Sequence, residues 1–68
     1  MDSGKTGALI AEARKAKGLT QRQLAETLHI SDRTVSKWER GAGFPDVALL
    51  EPLADALGLT VRSLLRGE

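Results

Sequence analysis

Thr20-Gln21-Arg22-Gln23-Leu24-Ala25-Glu26-Thr27-Leu28-His29-Ile30-Ser31-Asp32-Arg33-Thr34-Val35-Ser36-Lys37-Trp38-Glu39 reads as two short helices joined by a tight turn. Thr20 stands where the first helix needs an N-cap. Gln23 follows three residues later, at the position a capping box gives to Glu or Gln. Leu19 and Leu24 hold the two positions of a hydrophobic staple. The second helix repeats this grammar, with Ser31 as the cap and Ile30 and Val35 as the staple. Only His29 to Ser31 separate the last apolar residue of one helix from the first turn of the next. The spacing predicts a helix-turn-helix over residues 20–39, a motif whose second helix can lie in a DNA major groove.

Outward from this run, Gly18, Gly41, Gly58 and Gly67 each follow a periodic segment, and Gly is the preferred residue just past a helix end. The pattern predicts an all-α chain of five helices. They cover about residues 6–17, 21–28, 32–40, 47–57 and 61–65, with Asp46 and Thr60 capping the last two. Leu59 and Leu64 form the staple of the fifth. Residues 1–5 are expected to be a flexible N-terminus, and residues 6–66 a single domain. Periodicity assigns the core to Ile10, Ala13, Leu19, Leu24, Ala25, Leu28, Ile30, Val35, Trp38, Val47, Leu50, Leu53, Ala54, Leu57, Leu59, Leu64 and Leu65. Pro52 falls inside the fourth helix, where it removes one backbone hydrogen bond.

Sixty-eight residues allow one small domain. Such a chain buries only about 60% of its unfolded surface, so its stability is expected to be modest. Eleven Leu and nine Ala against three Val and two Ile favour helix over strand. The chain has no Cys and one His, which excludes a disulfide and a cysteine or multi-histidine zinc site. No carboxylate pair, nucleophile with base, or metal cluster stands out, so neither an enzyme nor a cofactor is expected. Gly4-Lys5-Thr6 matches the end of a phosphate-binding loop but lacks the upstream Gly and the preceding strand. No apolar run is long enough for a membrane span and no secretory segment follows Met1, which predicts a cytoplasmic protein. Net charge is only +1, but residues 14–40 carry seven bases against three acids, and residues 41–61 carry three acids and no base. One face should be basic and the opposite end acidic.

The run resembles the Cro/repressor (XRE-type) helix-turn-helix family of bacteria and their phages. The matching residues are Arg14, Gly18-Leu19-Thr20-Gln21, Leu24-Ala25, Ile30-Ser31, Thr34 to Gly41, Pro45, Leu53-Ala54 and Leu64-Leu65. His29 departs from the pattern, since the family often has Gly there. A left-handed backbone is expected at that residue, which His tolerates better than most. The resemblance implies a lambda-repressor-like domain and a sequence-specific transcriptional regulator, a repressor, bound to double-stranded DNA in the nucleoid. It also implies a homodimer on a palindromic operator, with a contact surface around Phe44 and the fifth helix. A protein-interaction module on the same fold, such as an antitoxin or a bridging subunit, is the rival reading.

On a helical wheel Val35 and Trp38 face the core, while Arg33, Ser36, Lys37 and Arg40 fall opposite. Asp32, Arg33 and Thr34 occupy the first turn, the end that approaches base edges in this docking mode. The expected base contacts are therefore Asp32, Arg33, Thr34, Ser36 and Lys37. Arg33 can pair with guanine through two bonds, Asp32 can accept from a cytosine amino group, and Lys37 can reach either a base or a phosphate. The expected phosphate contacts are Thr20, Gln21, Arg22 and Arg40. For Gln21 the resemblance implies that its amide and the free N–H groups of the helix N-terminus grip a phosphate, as anion binding at such termini allows. Arg22 and Arg40 also read as plain surface charge. Phe44 suits packing or partner contact better than base stacking. The resemblance further pairs Arg14 with Glu39, as an ion pair fixing the angle of the reading helix.

Overall fold

The computed structural model describes residues 2–68, and Met1 lies outside the described residues. Five helices follow one another: α1 (Ser3–Ala16), α2 (Gln21–Leu28), α3 (Asp32–Glu39), α4 (Val47–Leu57) and α5 (Val61–Arg66). No strand occurs among the described residues. α3 is the hub of the motif, packing on both α1 and α2, while α4 and α5 close the far side against α2 and α1.

The caps form as their residue types dictate. Gln23 N–H donates to Thr20 Oγ1 at 3.0 Å and Thr20 N–H donates to Gln23 Oε1 at 2.9 Å, a complete capping box. Ser31, Asp46 and Thr60 cap α3, α4 and α5 through their side-chain oxygens. α2 ends at His29, which sits at φ 58° and ψ 41°, and the Ile30 N–H closes the turn on the Ala25 carbonyl at 3.0 Å. His29 is the one non-glycine residue at positive φ among the described residues. A β-carbon there costs energy that Gly would not, and the cost is tolerated because α3 must follow at once.

α1 starts earlier than the sequence pattern indicates. The expected flexible segment gives way at residues 2–5 to a cap and a first helical turn. Asp2 Oδ1 accepts from Gly4 N–H at 2.9 Å and Lys5 N–H at 3.1 Å. The Met1 part of that expectation lies outside the described residues. Gly4 and Gly7 hide the helix, because Gly lowers helix propensity. Gly7 is explained by packing instead. A β-carbon at Gly7 would overlap the Trp38 carbonyl oxygen, so the absent side chain is what lets α1 approach the end of α3.

The core consists of Ile10, Leu24, Ala25, Leu28, Val35, Trp38, Leu50, Leu53, Ala54, Leu57 and Leu64. Ala13, Ile30 and Leu59 pack on its edge, and Leu19 is half-buried. Two expected core residues are exposed instead. Val47 is 82% exposed, because it is the first residue of α4 and overhangs the stripe that Leu50, Leu53, Ala54 and Leu57 fill. Leu65 is 38% exposed, because α5 is only six residues long and Leu64 takes its inward position. Thr6 is buried instead, donating its hydroxyl to the Leu64 carbonyl at 2.7 Å and pinning α5 to α1.

Candidate nucleic-acid interface

The sequence of α3 divides its surface in two. Val35 and Trp38 are 0% and 4% exposed, while Asp32, Arg33 and Lys37 are exposed and Thr34 and Ser36 half-buried. The apolar pair is three residues apart and anchors one side of the helix. The charged side chains are left on the other by the same periodicity. Arg33 and Lys37 are four apart, so they lie one above the other on the solvent side.

Local hydrogen bonding further sorts the expected readers. Thr34 Oγ1 lies 2.9 Å from Ser31 Oγ, and the Thr34 N–H donates to the same Ser31 oxygen at 3.2 Å. The Thr34 hydroxyl is thus engaged in the cap. Among the described residues Arg33 and Lys37 make no ion pair. Arg22 borders a groove of about 410 Å³ between α2 and α3, together with Glu26, Ile30, Ser31 and Asp32. Arg40 is the exposed C-cap of α3.

A polar cluster joins α1, the α1–α2 turn, α2 and α3. Arg14 Nε donates to Glu39 Oε2 at 2.6 Å, and Nη2 donates to Glu39 Oε1 at 3.0 Å. Arg14 Nη1 donates to the Leu19 carbonyl at 2.8 Å. The two side chains are only 11% and 8% exposed. Burial alone would push the Glu39 carboxyl up. Hydrogen bonds from Arg14 and Gln21, with the Arg14 and Lys15 charges, outweigh it and hold the group below its ordinary value. The hydrogen bond to Glu39 raises Arg14 against the opposing effect of burial.

Gln21 belongs to this cluster, which the sequence pattern did not reveal. Its Nε2 donates to Glu39 Oε1 at 2.9 Å, so one N–H of its amide is held from inside the protein. The second N–H of that amide and its oxygen remain. Gln23 N–H is taken by the Thr20 hydroxyl, whereas the backbone N–H groups of Gln21 and Arg22 have no acceptor among the described residues. The N-terminus of α2 therefore presents several donors beside the exposed face of α3.

The model of the helix-turn-helix family matches residues 10–64. The HTH-type transcriptional activator BcrR of Enterococcus faecalis is 41% identical over 87% of this chain and 29% of its own length. Multiprotein-bridging factor 1 of Candida albicans is 36% identical over 91% of this chain and 41% of its own. The chain thus spans less than half the length of these two relatives. The crystal structure of the restriction-modification controller protein C.AhdI from Aeromonas hydrophila superposes with a TM-score of 0.83 at 35% identity, covering 93% of this chain and 96% of that one.

Proposed function

The chain belongs to the helix-turn-helix family, of the Cro/repressor (XRE) type, and on that premise we propose that it is a sequence-specific, double-stranded DNA-binding transcriptional regulator. The observation that carries the reading is the two-sided α3: Val35 and Trp38 are buried while Arg33 and Lys37 stand exposed on one stripe, next to the donor-rich start of α2. α3 would enter the major groove by its first turn, with Asp32 and Arg33 at base edges and Ser36 against a base or the groove wall. Thr34 would act chiefly through the cap that shapes that turn. Lys37 is left with two targets, a base or a phosphate. Thr20, Gln21 and Arg22 would take phosphates on one side, and Arg40 on the other.

Bound to a promoter, such a domain represses by occluding it, the outcome we favour. The activator name of BcrR makes activation the alternative sign. Two copies on a palindrome, with half-sites about 34 Å apart, would supply affinity that one small module lacks. The contact would lie around half-buried Phe44 and α5, where Leu65 leaves apolar surface exposed. The site of action would be the cytoplasmic nucleoid. Among the described residues no helix is long and apolar enough to cross a membrane.

The low net charge and the similarity to a multiprotein-bridging factor favour a second reading, a protein-interaction module. Selection of bound sequences from a random duplex library separates the two. A DNA reader enriches one palindromic motif, and its binding to that motif weakens with salt. A chain that enriches no sequence at any salt concentration is not a sequence reader.

A further inference from the structure

Lys37 follows Arg33 by one helical turn, but its side chain turns towards the loop after α3. A β-carbon built on Gly43 would lie 3.1 Å from Lys37 Cε and 3.5 Å from both Cδ and Cγ. The Lys37 methylenes therefore lie flat over the Gly43 backbone, in the space a side chain would fill. Gly43 is not among the glycines held at positive φ, so what it supplies is room and not a special backbone conformation. The loop is tied to the turn that carries Lys37, with the Gly41 N–H on the Trp38 carbonyl at 2.9 Å and the Ala42 N–H on the Lys37 carbonyl at 3.0 Å. The N–H groups of Gly43 and Phe44 have no acceptor among the described residues. The stem of a lysine without an ion-pair partner thus crosses a short loop that carries two free N–H donors.

We infer that Gly43 is a positioning residue that assigns Lys37 to a DNA phosphate and withdraws it from the base edges. The inference rests on the DNA-binding reading above. A reading helix approaches bases by its first turn, so a side chain carried towards the loop beyond its last turn meets the wall of the groove, which is phosphate. An ammonium is a point charge with freely rotating donors, which suits a phosphate oxygen and carries little base discrimination. Sequence preference then falls to Arg33 and its neighbours in the first turn, and Lys37 adds affinity without preference.

The test measures binding of the 68-residue chain to its selected duplex and to single-base variants of that duplex, by fluorescence anisotropy at several salt concentrations. Lys37→Ala should weaken every duplex by the same factor and make the slope of log affinity against log salt shallower by about one. A β-carbon alone would ask only a few tenths of an ångström of Lys37 Cε, so the variant used is Gly43→Val, whose branches reach further into the stem; it should displace the stem and move affinity and slope in the same direction. In a Lys37→Ala background, Gly43→Val should then change neither, a result a merely structural loop residue would not give. Both variants should melt within a few degrees of the parent, since Lys37 is exposed and Gly43 adopts no strained backbone. The inference is overturned if Lys37→Ala alters preference at one base pair and leaves the slope unchanged. It is equally overturned if Gly43→Val weakens binding by the same factor with and without Lys37. A parent chain that binds no duplex even at low salt removes the DNA-binding reading itself, before any variant is compared.

Discussion

The Arg14 guanidinium clasps the Glu39 carboxylate through two bonds, of 2.6 and 3.0 Å, with both side chains almost out of water. Its remaining nitrogen holds the Leu19 carbonyl, and Gln21 shares the carboxylate. Four hydrogen bonds thus tie α1, the turn after it, α2 and α3 together at this junction. Glu39 is the last residue of α3, seven residues on from Asp32, so the junction grips α3 at the end away from the first turn that would read DNA.

Removing either partner leaves the other charge buried and unpaired. Arg14→Ala and Glu39→Ala should each cost about 3–5 kcal/mol, comparable with the whole stability of a small domain, about 5 kcal/mol at the low end. Urea unfolding measures it. Replacing both residues together by apolar side chains of similar size should recover most of the loss, since desolvating the pair also carries a cost. Single-variant losses below about 1 kcal/mol, the range of exposed pairs, would refute the structural role.

Acid should dismantle the same junction. The Glu39 carboxyl is held below its ordinary value, so between the folded and unfolded values the unfolded chain carries the extra proton. Stability from this group is fully present above the unfolded value, about pH 4.3, and is lost as pH falls through the folded one. Urea midpoints taken from pH 7 down to pH 2 should fall more steeply for the parent than for Glu39→Gln. Identical acid profiles would assign the sensitivity elsewhere.

His29 offers a gain. It holds a left-handed backbone at the end of α2, and it is exposed. His29→Gly should stabilise the domain by about 0.5–1 kcal/mol, the relief of the β-carbon less the entropy of a freer unfolded chain. The thermal midpoint should rise by several degrees at roughly 4–8 °C per kcal/mol. A lowered midpoint would mean that the His29 side chain makes a favourable contact of its own.

Local chemistry made α2, α3 and α4 legible in the sequence, because Thr20, Ser31 and Asp46 cap them and each carries an uninterrupted apolar stripe. The start of α1 was hidden by Gly4 and Gly7, since the reason for Gly7 is the Trp38 backbone, thirty-one residues further along the chain. Val47 and Leu65 have the period of core residues, but Val47 overhangs the start of α4 and Leu64 takes the inward position of α5, a property of packing and not of pattern. The Gln21–Glu39 bond and the Lys37–Gly43 contact are likewise tertiary. Periodicity places those side chains on a face but not in a direction.

The face itself is tested by separating preference from affinity. Arg33 is exposed in the first turn of α3, opposite Val35 and Trp38, so Arg33→Ala should leave the fold intact. It should cost about 1–3 kcal/mol of binding to the selected duplex and relax preference at one position. Gln21→Ala should weaken all duplexes alike, because a phosphate carries no sequence information. Gln21 also holds Glu39, so its variant needs a parallel urea melt, and only the binding loss left at full folding counts towards DNA contact. Anisotropy on matched and single-base-altered duplexes reads both effects. If Arg33→Ala binds every duplex as the parent does, α3 is not the reader, and the protein-interaction reading takes its place.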